Sequence, residues 1–312
     1  MVDVDYVKDV IKRILNEVGR VVVGKREEIK LIICALLAKG HVLVEGVPGV
    51  AKTLIVKALA SVLDLEFKRI QMTPDLLPAD IIGTYVYDPR SSSFYFRKGP
   101  IFANIVMVDE INRASPKTQS ALLEAMQERS VTVEGVTFKL PEPFIVVATQ
   151  NPIEVEGVFP LPEAQVDRFM VKVTLGYPTR DESVEILRRQ DVIEDWPLRP
   201  IVSSNDVLKI SGMIRNVYVS EDVMYYIVDL IEATRRHPYV RLGGSPRAAV
   251  ALYLMSKAYA LINGRDYVIP DDVKSVIFPV LSHRLILSRE AELEGIDSRK
   301  IIEEVLRSVP VP

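Results

Sequence analysis

Cysteine is nearly absent from this chain. Cys34 is the only one, so no disulfide can close within it. It sits in the apolar run Ile29 to Leu37, which fits a buried thiol in a reducing compartment. Histidine is scarce as well: there are three, far apart in sequence, so the ligand spacing of a zinc site is missing and no structural metal is expected. No stretch reaches the roughly 18 uncharged apolar residues that a membrane span needs. Asp3 and Asp5 follow Met1 where a signal peptide would carry apolar residues. The expectation is a cytoplasmic protein without membrane insertion. Nor is there an excess of one charge, since the net value is −3, which argues against free nucleic acid as the main partner. What is present is 48% hydrophobic and 26% charged residues over 312 positions, enough for a sizeable core and long enough for two domains.

Short apolar strands alternate with helices through the first part of the chain. Strands are predicted at His41–Glu45, Glu66–Ile70, Ile105–Val108, Phe144–Thr149 and Val171–Thr174, with helices at Leu54–Leu63 and Pro116–Glu128. That pattern implies an α/β fold whose parallel sheet is covered on both faces. Ligands of such sheets bind at the carboxyl ends of the strands. After Tyr177-Pro178 the strand signal fades and amphipathic helical patterns take over at Arg180–Gln190, Glu221–Arg236, Ala248–Ile262 and Pro270–Ser282. Trp196-Pro197-Leu198-Arg199-Pro200 reads as a stiff connection, and Gly243-Gly244-Ser245-Pro246 as a loop that starts a helix at Arg247. Two hairpins interrupt the α/β alternation. One is aromatic, with Tyr85/Tyr87 and Phe94/Phe96 in period two; the other spans Ser130 to Leu140 and turns at Glu134-Gly135.

The first predicted strand feeds Gly46-Val47-Pro48-Gly49-Val50-Ala51-Lys52-Thr53, which opens the helix beginning at Leu54. Glycines in such a loop let backbone N–H groups turn inward around a polyphosphate, and the helix N-terminus adds orphan donors. Lys52 would reach the β/γ-phosphates and the Thr53 hydroxyl would ligate Mg²⁺. Ala51 stands where glycine usually precedes the lysine, which alanine tolerates if its φ is negative. A later strand delivers Asp109 and Glu110: Asp109 can hold Mg²⁺ through its water shell, and Glu110 can orient or deprotonate the attacking water. The strand that follows ends in Ala148-Thr149-Gln150-Asn151-Pro152, where the Asn151 amide can bond both the γ-phosphate and the lytic water.

In this order, and joined by Leu161-Pro162-Glu163-Ala164-Gln165-Val166-Asp167-Arg168-Phe169 and Gly244-Ser245-Pro246-Arg247-Ala248, these segments resemble the AAA+ ATPases, and within them the MoxR family, over nearly the whole length. The resemblance implies a P-loop AAA+ parallel sheet core at 1–178, a connecting segment at 179–200 and a smaller all-helical lid domain at 201–312. It makes the loop at Gly46 to Thr53 Walker A, with alanine a favoured residue before the lysine, Val108 to Ala114 Walker B, and Asn151 sensor 1. It makes Arg168 the arginine finger, donated to the ATP of a neighbouring subunit, and Arg247 sensor 2, delivered from the lid to the γ-phosphate. Arg113 is a further cation near the site, and Val23 and Gly24 fall in the segment that lies along the adenine. The two hairpins become the helix-2 and pre-sensor-1 inserts, facing the pore of a ring. ATP and Mg²⁺ are the implied cofactors. The implied assembly is a homo-oligomer, a hexameric ring, acting as a chaperone-like remodelling or cofactor-insertion ATPase on client proteins beside a von Willebrand factor A-domain partner. The motor of a metal chelatase, a nucleic-acid translocase and a nucleotide-gated scaffold are the competing readings. Glu134-Gly135 at the hairpin tip, where a translocase would want basic residues, speaks against nucleic acid.

Overall fold

The computed structural model describes residues 3–47, 49–151, 158–193 and 197–312. The chain opens with helix α1 (Val4–Val18), started by the Asp3 carboxylate, which accepts from the Tyr6 N–H at 3.0 Å. Val7, Val10, Ile11, Ile14, Leu15 and Val18 repeat at helical spacing and form its buried stripe. Helix α2 (Arg26–Leu37), strand β1 (Val42–Gly46), helix α3 (Lys52–Val62) and strand β2 (Phe67–Gln71) follow. Helix α4 (Pro78–Ile82) leads into the hairpin of β3 (Gly83–Asp88) and β4 (Ser93–Lys98). Next come β5 (Ile105–Asp109), α5 (Pro116–Glu128), the second hairpin of β6 (Ser130–Val133) and β7 (Val136–Lys139), then β8 (Ile145–Gln150), α6 (Glu163–Val166) and β9 (Val171–Leu175).

The main sheet has the order β2-β5-β8-β1-β9, and every neighbouring pair is parallel. Alternation along the strands divides the core in two. Val42, Val44, Met107, Val147 and Val173 face one cluster with α1 to α3, while Leu43, Val106, Val108, Val146 and Ala148 face the other with α5. Coverage of both faces explains why these strands read as unbroken apolar runs.

Helix α7 (Arg180–Ile193) leads into the C-terminal helices α8 (Ser204–Met213), α9 (Glu221–Arg236), α10 (Pro246–Ile262), α11 (Pro270–Leu281), α12 (Arg289–Leu293) and α13 (Ser298–Ser308). This part is helical as expected, with one short antiparallel pair added, β10 (Val240–Leu242) against β11 (Ile286–Leu287). It does not hang loosely from a linker. Helix α10 packs on α1 and α2, so a single apolar cluster runs from Val7 through Ile33 and Leu252 to Val309. Of the expected stiff connection, Trp196 lies outside the described residues. Cys34 is buried, and burial pushes its thiol well above the ordinary range, as a packing residue requires.

Both predicted hairpins are present. Tyr85 pairs with Phe96 and Tyr87 with Phe94 across the first, and Glu134 and Gly135 take positive φ values of 49° and 78° at the turn of the second. The two ribbons are packed together through Phe96 stacked on Phe138 at 4.1 Å, which leaves Tyr87 and Phe94 exposed.

His41 staples the sheet just before β1. Its Nδ1 accepts from the Val146 N–H at 3.0 Å, which makes Nε2 the protonated nitrogen, donating to the Met126 carbonyl at 2.9 Å. Burial lowers its pKa from 6.5 to about 4, and His283 is likewise pushed well below its ordinary value by burial. A buried neutral imidazole adds stability that is complete above the unfolded pKa and is lost as the pH falls, because only the unfolded chain takes up the proton. Stability is therefore expected to fall between pH 6.5 and about 4, with His41 contributing about 3 kcal/mol of the loss. Melting temperatures measured across that window should fall less steeply in His41→Gln than in the parent.

Candidate active site

Because β1 runs parallel to its neighbours, everything that follows the strand ends emerges at one edge of the sheet. Gly46 ends β1 where no side chain fits: a Cβ there would lie 2.8 Å from the Leu175 carbonyl oxygen. Gly49 takes a φ of +83° with open space around it. Val50 is buried, and Val47 and Leu54 pack against the same core, so these residues can offer a ligand only their backbone. Pro48 lies outside the described residues. Lys52 folds back over the loop, donating from Nζ to the Gly46 carbonyl at 2.7 Å, and Thr53 follows it in the first turn of α3. One expectation is corrected. Ala51 does not keep a negative φ but starts α3 at +61°, in the left-handed region. For a residue with a Cβ this costs about 1–2 kcal/mol, a strain that the buried anchors Val50 and Ile55 on either side impose.

The acids arrive from β5. Asp109 is buried at the strand end, and Glu110 has left the strand with a φ of +55°, a second strained position beside the loop. Thr149, at the end of β8, joins them: its hydroxyl donates to Asp109 Oδ1 at 3.2 Å and accepts from the Glu110 N–H at 2.9 Å. Asn151 is buried just beyond. The structure adds two residues that the sequence reading missed, Arg69 and Gln71, and puts the expected cation Arg113 beside them. Arg69 Nε donates to Asp109 Oδ2 at 2.6 Å, Gln71 donates to Glu110 Oε2 at 2.8 Å, and Arg113 stands 3.4 Å from the same oxygen. Arg69 and Gln71 alternate on β2 beside Met107 and Asp109, and their polarity at period-two spacing in a strand is the signal that could have revealed them. Val23 is half-buried and Gly24 has a φ of +70°, and a Cβ at Gly24 would strike Glu182 in the first turn of α7. Since α7 follows the carboxyl end of β9, this segment also lies toward the loop edge.

The donors suit Mg²⁺. Thr53, Asp109 and Glu110 offer hard oxygens, and among the described residues no group of side chains forms a complete metal cage. That is the arrangement expected for an ion held mainly by phosphates and water.

Arg168 and Arg247 are not brought to this edge. In the register of β1 and β9, Val42 faces Val171 and Gly46 faces Leu175, so Arg168 precedes the start of β9. The strand length alone separates it from the loop by roughly 13 Å. There it lines a cleft of about 230 Å³ with Lys39, Arg129, Arg247, Arg284 and Asp167. Asp167 does not pair with its neighbour Arg168. It takes Arg284 Nε at 2.7 Å, Arg247 at 3.6 Å and the Ser245 hydroxyl at 3.2 Å, all from the helical part. Among the described residues no carboxylate pairs with Arg168.

Comparison with known proteins agrees with this fold. Residues 41–171 match the model of the ATPase family associated with various cellular activities (AAA), and residues 232–305 match the AAA lid domain. Chaperone MoxR1 of Mycobacterium tuberculosis is 46% identical over 97% of this chain and 82% of its own length. The uncharacterized protein YeaC of Bacillus subtilis is 49% identical over 96% of this chain and 93% of its own. A crystal structure from Cytophaga hutchinsonii superposes with a TM-score of 0.93 at 46% identity, covering 99% of this chain and 97% of the other.

Arg69 occupies the carboxylate oxygen that a magnesium shell would use, and its side chain is 52% exposed. Such a half-exposed pair is worth up to about 1 kcal/mol. Arg69→Gln should therefore lower the Mg²⁺ concentration giving half-maximal ATP turnover by up to about fivefold, measured by metal titration at saturating ATP.

Proposed function

The chain belongs to the MoxR family of AAA+ ATPases and hydrolyses ATP, and on that premise we propose that each catalytic site is completed at the seam between two copies in a ring. The observation that carries this reading is the separation of the two half-sites. Lys52, Thr53, Asp109, Glu110 and Asn151 converge at the carboxyl edge of the sheet, whereas Arg168 and Arg247 share the opposite edge. A chain cannot bring both edges to one phosphate. A head-to-tail interface between identical copies can, and one whose rotation closes makes a ring.

In this reading the loop from Gly46 to Thr53 cradles the polyphosphate with backbone donors and Lys52 meets its terminal charges. Mg²⁺, held by Thr53 and through water by Asp109, neutralises charge that develops on the phosphates. Glu110, steadied by Gln71 and Arg113, orients and deprotonates the attacking water, and Asn151 reports the γ-phosphate. Val23 and Gly24 border the base. Arg168 and Arg247 act on the neighbour's γ-phosphate, since neither reaches its own loop. The division at residues 178 and 200 then separates a nucleotide-binding body from a lid that shares its core with α1 and α2.

A ring of this kind, six copies by family analogy, would remodel or help assemble cytoplasmic client proteins beside a von Willebrand factor A-domain partner. The exposed Tyr87 and Phe94 on the joined hairpins suit a grip on an extended protein segment. The acid Glu134 at the second hairpin's tip favours a protein client over nucleic acid.

Glu110→Gln should keep the parent's affinity for ATP and lose turnover. Arg168→Ala should also keep binding, while turnover falls by ~10³–10⁵. Equilibrium binding of a fluorescent ATP analogue and a phosphate-release assay measure the pair; parental turnover in both variants would defeat the proposal.

A further inference from the structure

Arg284 is a heavily committed side chain that the reading above leaves without a task. It follows α11, is 2% exposed at the side chain, and belongs to the helical part. Arginine carries five N–H donors in a planar fork, and here each has an acceptor. Nε donates to Asp167 Oδ1 at 2.7 Å. One terminal nitrogen donates to the carbonyls of Asp167 at 3.1 Å and Phe169 at 2.6 Å, and the other to Met170 at 3.0 Å and to Val280. The neighbouring His283 adds Nε2 to the Phe169 carbonyl at 3.0 Å. Of the residues from 167 to 170, the helical part thus holds every backbone carbonyl except that of Arg168.

We infer that Arg284 is a positioning residue for ATP hydrolysis in the neighbouring subunit: it clamps residues 167–170 to the lid and so sets the aim of Arg168. The inference rests on the reading of Arg168 as a finger across the seam. Asp167 neutralises the buried guanidinium and also holds Arg247 and Ser245 at the start of α10, so Arg168 and Arg247 are referenced to the same lid. A lid that shifts on its own nucleotide would therefore retune the next subunit's site. Lysine cannot replace the fork, because a single ammonium has three donors and no plane.

The test uses Arg284→Lys, which keeps the charge, with circular dichroism and melting to establish that it folds and gel filtration to establish that it assembles. Alone it should lose about a hundredfold in kcat, the effect of a misplacement of about 1 Å, with KM for ATP unchanged. Mixed with a large excess of Glu110→Gln subunits, whose own fingers are intact, it should recover the turnover that wild-type subunits reach in the same excess. Arg168→Ala mixed with Glu110→Gln should recover likewise. Parental kcat in Arg284→Lys, or a raised KM with kcat unchanged, overturns the inference. So does recovery by Arg168→Ala without recovery by Arg284→Lys, which leaves the finger reading standing. If neither recovers while the wild-type mixture turns over, the finger reading fails and the inference falls with it.

Discussion

The parallel pairing of β1 with β9 sets the terms for the rest of the molecule. With Val42 beside Val171 and Gly46 beside Leu175, the residues after β1 and those before β9 leave the sheet in opposite directions. Loop donors and acids gather where strands end, and Arg168, Arg247 and Arg284 gather where strands begin. Parallel strands demand covered faces, and the chain supplies α1 to α3 on one side and α5 on the other, so the sheet is rigid enough to keep the two edges apart. Chemistry that needs both edges is then a property of two copies.

Rigidity also holds the residues at the loop edge in costly conformations. Ala51 and Glu110 both sit at positive φ, and each is framed by buried anchors, Val50 and Ile55 for the first and Asp109 and Ile111 for the second. Thr149 ties the acid pair to β8 with one hydroxyl that donates and accepts, and Gln71 and Arg113 hold the Glu110 side chain. At the other edge the fixing is done from outside the sheet. The backbone around Arg168 bonds its N–H groups back to α6 and to His41, and the lid, through Arg284 and His283, supplies donors to its carbonyls.

Much of this was legible in the residues. Each core strand was legible, with ends at most one residue off, because a strand buried on both faces writes itself as an apolar run. Lys52, Asp109 and Glu110 could be placed at the carboxyl edge of the sheet because each stands at a strand end or follows closely on one. Helix α1 was not assigned, although Val7, Val10, Ile11 and Ile14 carry its period. Arg69 escaped for a different reason: its partner Asp109 lies 40 residues away, and only the β2–β5 register brings them together. The same holds for Arg284 and Asp167, separated by 117 positions. The φ of Ala51 could not be read at all, since the strain comes from packing on both sides of it rather than from alanine's own preference.

The central claim, a nucleotide site shared between copies, is tested most directly by turnover per subunit as a function of protein concentration. The account predicts a rate that is negligible where sedimentation shows monomers and rises steeply to a plateau as the assembly forms. A rate per subunit that stays constant down to dilutions where the chain is monomeric would contradict it.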